Sequence, residues 1–95
     1  MIPGLISKIS ERSIALASSF EATTDLIRVT DTTAGTTFAT IVPKVGIGGQ
    51  LLFLANQSGA AIASLTTGNV LTATTLASDR LTVLTYSKSA EKWIL

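Results

Sequence analysis

The chain reads as a single all-β domain, a small sandwich or barrel of about eight short strands behind a short N-terminal arm. Three features predict this. From Ser13 onward the residues are Thr, Val, Ile, Leu and Ala in short runs, interrupted by Gly, Asn, Asp and Ser, which is strand composition with turn punctuation. No segment between the runs is long or periodic enough for a crossover helix. The run from Gln50 to Asn56 is apolar at both side-chain parities, with turn residues at both ends, and reads as a central strand buried on both faces.

Residues 1–12 differ from the rest. Ile2, Leu5, Ile6 and Ile9 recur at roughly helical spacing, with Lys8, Glu11 and Arg12 on the other side. The segment reads equally as a helical turn or two or as an extended arm, and it is too short to hold a helix without packing. Ile2, Leu5, Ile6, Lys8, Ile9 and Arg12 are accordingly the candidate contact residues, toward a partner or a neighbouring subunit. The domain proper is residues 13–95.

Strands are expected at residues 13–20, 25–30, 37–42, 50–55, 60–65, 69–74, 81–86 and 92–95. Asp25-Leu26-Ile27-Arg28-Val29 alternates, which places Ile27 and Val29 inward and Arg28 outward. Pro43 has no N–H for a ladder and ends its strand or marks an edge. Residues 31–35 and 87–91 read as hairpin connections. Thr67-Gly68-Asn69 reads as a tight turn using Gly and Asn for positive φ. In residues 81–86, Val83-Leu84 breaks the alternation, predicting a bulge or burial on both faces. Trp93 is expected to close one end of the core.

Composition bounds the function. The 95 residues are 46% hydrophobic and only 14% charged, with mean hydropathy +0.51, where a typical soluble domain has about a quarter charged residues. So little charge predicts that another chain covers part of the surface. A net charge of +1 with scattered Lys and Arg offers nucleic acid no basic field. No apolar run approaches the roughly 20 residues of a membrane helix, so no membrane partner is expected. The chain has no Cys and no His, which removes thiolate metal sites and the commonest general base. The carboxylates are scattered singly, the Ser and Thr hydroxyls have no evident activating base, and Gly46-Ile47-Gly48-Gly49 is followed by Gln50 rather than by a P-loop Lys-Ser/Thr. No enzyme, cofactor or metal is expected. Phe20, Phe38, Phe53, Tyr86 and Trp93 are few and embedded in apolar runs, which suits core positions rather than a stacking platform.

From Ala15 onward the chain resembles the small all-β modules of tailed-bacteriophage virions, both head decoration (cement) proteins and head-fibre or tail modules. Asp25–Thr30, Thr37–Pro43 followed by Gly49–Leu54, Thr66-Thr67-Gly68-Asn69-Val70, Leu81–Tyr86 and Lys92-Trp93 carry the resemblance. It implies a non-enzymatic homo-oligomer, commonly a trimer, on the outer surface of the capsid with the major capsid protein as partner. The alternative it leaves is a fibre or tail module that binds a host receptor or glycan, for which Tyr86 and Trp93 are the aromatics available.

Overall fold

The structure is a computed structural model that describes residues 9–44 and 49–95. It is all-β and sandwich-like, as the composition predicts. Among the described residues the strands are β1 (Glu11–Ala15), β2 (Ser19–Glu21), β3 (Leu26–Asp31), β4 (Thr37–Phe38), β5 (Thr40–Val42), β6 (Leu51–Asn56), β7 (Ile62–Ser64), β8 (Thr75–Leu76), β9 (Arg80–Ser87) and β10 (Lys92–Ile94). They form a five-stranded sheet in the order β1-β3-β6-β9-β10, a pair β2-β5 and a three-stranded sheet β4-β7-β8.

Parallel pairing dominates the first half of the chain. β1 with β3, β3 with β6, β2 with β5 and β4 with β7 are all parallel. Parallel neighbours need a long crossover, usually a helix; here strands of the other sheets supply it. β2 lies between β1 and β3, and β4 and β5 lie between β3 and β6. The chain therefore winds as a coil, and successive turns stack in register, Leu26 beside Phe53 and Thr37 beside Ala63. From β8 onward the direction reverses, with β8, β9 and β10 each pairing antiparallel.

This winding corrects several sequence expectations. The strand expected at residues 13–20 splits into β1 and β2, with buried Leu16 at the corner. The strand at 37–42 splits into β4 and β5 at Ala39, whose N–H donates to Ser18 O at 2.8 Å. The turn at 31–35, with the Thr33 N–H on Asp31 Oδ1 at 2.8 Å, is not a hairpin, because β3 and β4 belong to different sheets. Residues 69–74 make no continuous strand. Val70 forms an isolated parallel bridge to Trp93, so this segment covers the outer edge of β10 and leaves β8 to form at Thr75–Leu76.

Other expectations hold. β5 ends at Val42, immediately before Pro43, and β9 and β10 form the hairpin expected at 87–91. Ile27 and Val29 are buried, and Arg28 points outward. Trp93 is fully buried and packs against Tyr86 at 5.2 Å between ring centroids. Phe20 meets Phe38 edge to face at 5.6 Å.

Two buried amides tie the coil together. Asn56, at the end of β6, donates to Ala60 O at 2.7 Å and Leu76 O at 2.9 Å, and accepts from the Ser58 hydroxyl and N–H. Gln50 donates to Ala22 O and accepts from the Lys44 N–H, both at 2.9 Å. The glycine-rich stretch Gly46-Ile47-Gly48-Gly49, expected to be a turn, lies outside the described residues except for Gly49.

Glu91 in the β9–β10 hairpin adopts φ +54°, the left-handed region that disfavours a side chain by about 1–2 kcal/mol. Part of the relief is offset by the unfolded-state entropy of glycine, so Glu91→Gly is expected to raise stability by about 0.5–1 kcal/mol, read as an upward shift of the urea midpoint with unchanged slope. A lowered midpoint would contradict the assignment.

The start of β1 is fastened by Ser10. Its hydroxyl and N–H donate to Asp25 Oδ2 at 2.9 and 3.1 Å, and the Asp25 N–H donates back to the Ser10 hydroxyl oxygen at 3.0 Å. The Ser10 hydroxyl and then its N–H hold the Asp25 carboxyl below its ordinary 3.8, with a small opposing effect of burial and a further lowering by Lys44. Asp31 is lowered in the same way by the Thr33 hydroxyl and N–H. Between each lowered value and the ordinary one the unfolded chain binds more protons, so this stability is complete above the ordinary value and is lost as pH falls through the folded one. The melting temperature is expected to stay level from about pH 7 to about pH 5 and to decline below about pH 4. Asp25→Asn should flatten that decline; an unaltered slope would mean the clasp contributes nothing.

Candidate interaction surface

Of the six contact residues expected from the sequence, Ile2, Leu5, Ile6 and Lys8 lie outside the described residues. Ile9 is exposed. Arg12 belongs to the sheet: it pairs with Ile27 across β1 and β3, and its guanidinium donates to Glu21 O. Strand pairing begins at Glu11, so Glu11 and Arg12, placed in the arm by the sequence, are already part of the domain.

Among the described residues the most extensive apolar surface is the outer face of the five-stranded sheet. Along β6 the burial alternates. Leu52, Leu54 and Asn56 face the core, while Leu51, Phe53 and Ala55 face out. This corrects the expectation of a strand buried on both faces: within one chain, only one face is covered. β9 alternates in step, with Leu84 inward and Leu81 and Val83 outward, and its pairing with β6 runs without a shift. The bulge or two-sided burial expected at Val83-Leu84 is therefore absent.

Register then assembles the outer face. Leu26, Phe53 and Val83 form one row; Leu51, Thr85 and Ile94 form the next; Arg28, Ala55 and Leu81 form a third. Leu51 is 51% exposed, Leu81 58%, Val83 44% and Ile94 38%. Beyond Ile94, Leu71 is also exposed, held beside β10 by its N–H on Trp93 O at 2.8 Å. Isolated exposed apolar side chains are ordinary, but a contiguous set across several strands marks an interaction site.

The charged residues of this face are Glu11 on β1, Arg28 on β3 and Lys92 on β10. Arg28 Nη2 lies 3.6 Å from Glu11 Oε1 at the β1 edge, an exposed pair worth little to stability. At the β10 edge, Lys92 Nζ reaches Gly68 O at 3.4 Å. The centre carries no charge. The sequence signal for this face was the two-sided apolarity of Leu51–Leu54, read as burial; in the structure one parity faces the core and the other is open.

Among the described residues, no three His, Cys, Asp or Glu side chains gather where a metal ion could be held. No family model, no curated protein and no solved structure matches this chain.

Proposed function

We propose that this chain is a non-enzymatic decoration protein of a tailed-phage capsid, which binds the outer shell and stabilises it by bridging major capsid protein subunits. The observation that carries the reading is the exposed apolar centre of the outer sheet face, Leu51, Leu81 and Val83, in a chain with little charge to solvate it. The sequence resemblance supplies the setting. Self-association through that face leaves the N-terminal segment to grip the shell, and binding that exists only on the assembled shell stabilises it by linkage.

Co-sedimentation with emptied, expanded shells tests this. Because Ser10, Glu11 and Arg12 hold the domain together, the informative deletion removes residues 2–8. The truncated chain is expected to keep the circular dichroism and melting of the full chain and to lose shell binding. Failure of the full chain to bind any shell would end the proposal, and full occupancy by the truncated chain would end the assigned role of the segment. The glycan-binding alternative has less to support it, since Trp93 is buried and Tyr86, half-buried, packs on it.

A further inference from the structure

We infer that the outer face of the five-stranded sheet is the contact between two copies of this chain, stacked face to face about a two-fold axis running along β6.

The shape of the patch argues for a two-fold contact. A ring of three joins two different patches on each subunit, whereas an isologous contact uses one patch twice. Among the described residues the extended apolar surface is this single face, centred on β6 between β3 and β9. Val42 and Leu65 are exposed on the small sheets as separate side chains. An axis along β6 turns the face onto itself and keeps the rows aligned. Phe53 then meets Phe53 of the partner subunit, Leu51 meets Leu51 of the partner subunit, and Leu26 meets Val83 of the partner subunit. Two aligned sheets packed about 10 Å apart with a modest crossing angle are an ordinary sandwich arrangement, so the contact completes the second layer that β6 lacks in one chain.

The turn lays β1 of one copy over β10 of the other, with Glu11 in the row of Leu26 and Phe53 and Lys92 four residues along, beside Ser87, so neither charge faces its own copy. The outward side chains of β6 and β9 carry no charge to desolvate, and Arg28, in the row of Ala55 and Leu81, enters the contact already paired with Glu11, so no like charges are forced together. A strongly charged partner would find nothing complementary here.

Area sets the strength. Five strands at about 4.8 Å spacing, across five or six residues at about 3.3 Å each, give a face of roughly 450 Å² in plan. Two copies together cover roughly 900 Å² in plan and more over side-chain relief, at the lower limit of about 1,000 Å² for a specific interface. The dimer is therefore a reversible one that dissociates on dilution. It concerns the free protein and does not depend on the capsid reading.

Light scattering and sedimentation velocity of the full chain test it over a range of micromolar concentrations. The expected species is a dimer in equilibrium with monomer. Val83→Lys and Leu81→Lys, at exposed positions, are expected to leave circular dichroism and melting of the diluted protein unchanged and to weaken dimerisation at least tenfold. Because the chain has no cysteine, a second measurement is direct: Leu51→Cys should give a covalent dimer with a short bis-maleimide, and Thr75→Cys, on the three-stranded sheet, should not. A strictly monomeric chain, a trimer, a dimer that withstands both lysines, or equal cross-linking at the two cysteines would overturn the assignment. Shell binding is read separately, so a failure there leaves this result standing.

Discussion

Replacing Trp93 by alanine is expected to destabilise the protein by about 3–5 kcal/mol, the range for truncating a buried aromatic side chain. A chain of this size has a total margin of about 5–15 kcal/mol, so the loss is a large fraction of it. The indole does two things. Its rings fill the core beside Tyr86 at the β10 end of the main sheet, and its Nε1–H donates to Ile41 O at 2.8 Å, joining β10 to β5 across the molecule. Ile41 O also accepts from Asn69 Nδ2 at 2.7 Å, so removing the indole leaves that oxygen one partner rather than none. Trp93→Phe should therefore recover most of the stability, with a remaining deficit of about 1–2 kcal/mol for the lost bond and the smaller ring. Thermal and urea unfolding of the two variants measure this. An unchanged melting temperature for Trp93→Ala would refute the core assignment.

Gly68→Ala is expected to be comparably damaging, at about 3 kcal/mol or more, for a different reason. A Cβ on Gly68 would lie 1.5 Å from Ala39 O. The obstructing atom is backbone and has no rotamer to yield, so overpacking here exceeds the usual range of about 1–3 kcal/mol. The displacement would also spread. Asn69, the next residue, donates its N–H to Ala39 O at 3.0 Å and clamps Ile41 with both side-chain amide atoms, receiving the Ile41 N–H at 2.9 Å. Its carbonyl receives the Trp93 N–H at 2.7 Å. Pushing residue 68 away from Ala39 thus loosens the links of this segment to Ala39, to Ile41 of β5 and to β10. Neither Gly68 nor Asn69 has positive φ, contrary to the sequence expectation for this turn; the glycine is required by close approach. A discriminating comparison follows. If φ were the constraint, Gly68→Asn would be milder than Gly68→Ala, whereas close approach makes the larger side chain at least as harmful. Unfolding midpoints of the two variants decide it.

The strand content and several positions were legible because their causes are local. Alternation in Leu26–Val29 sets which side chains face inward. Pro43 lacks the N–H that a ladder needs. The 87–91 loop has the length of a hairpin. Hairpins expected elsewhere failed for a common reason. A polar turn such as Asp31–Gly35 states that the chain bends and is silent about the sheet into which it bends. The candidate site was legible only in part. Low charge predicted a covered surface, but attention to the arm missed the sheet face, because the exposure of Leu81, Val83 and Ile94 depends on which strands lie beside them.

By itself, then, the sequence determined an all-β chain with a central apolar strand at β6. These follow from composition, side-chain parity and backbone chemistry, each readable within a few residues. The tertiary structure alone decided that the first strands pair in parallel as turns of a coil, that β1 begins at Glu11, that Gly68 yields to Ala39 rather than to a dihedral angle, and that one face of β6 stays open. Those outcomes depend on pairings such as Leu26 with Phe53, Ile41 with Asn69 and Val70 with Trp93. Such contacts join residues far apart in the chain, and their energies are set by what the whole fold brings together.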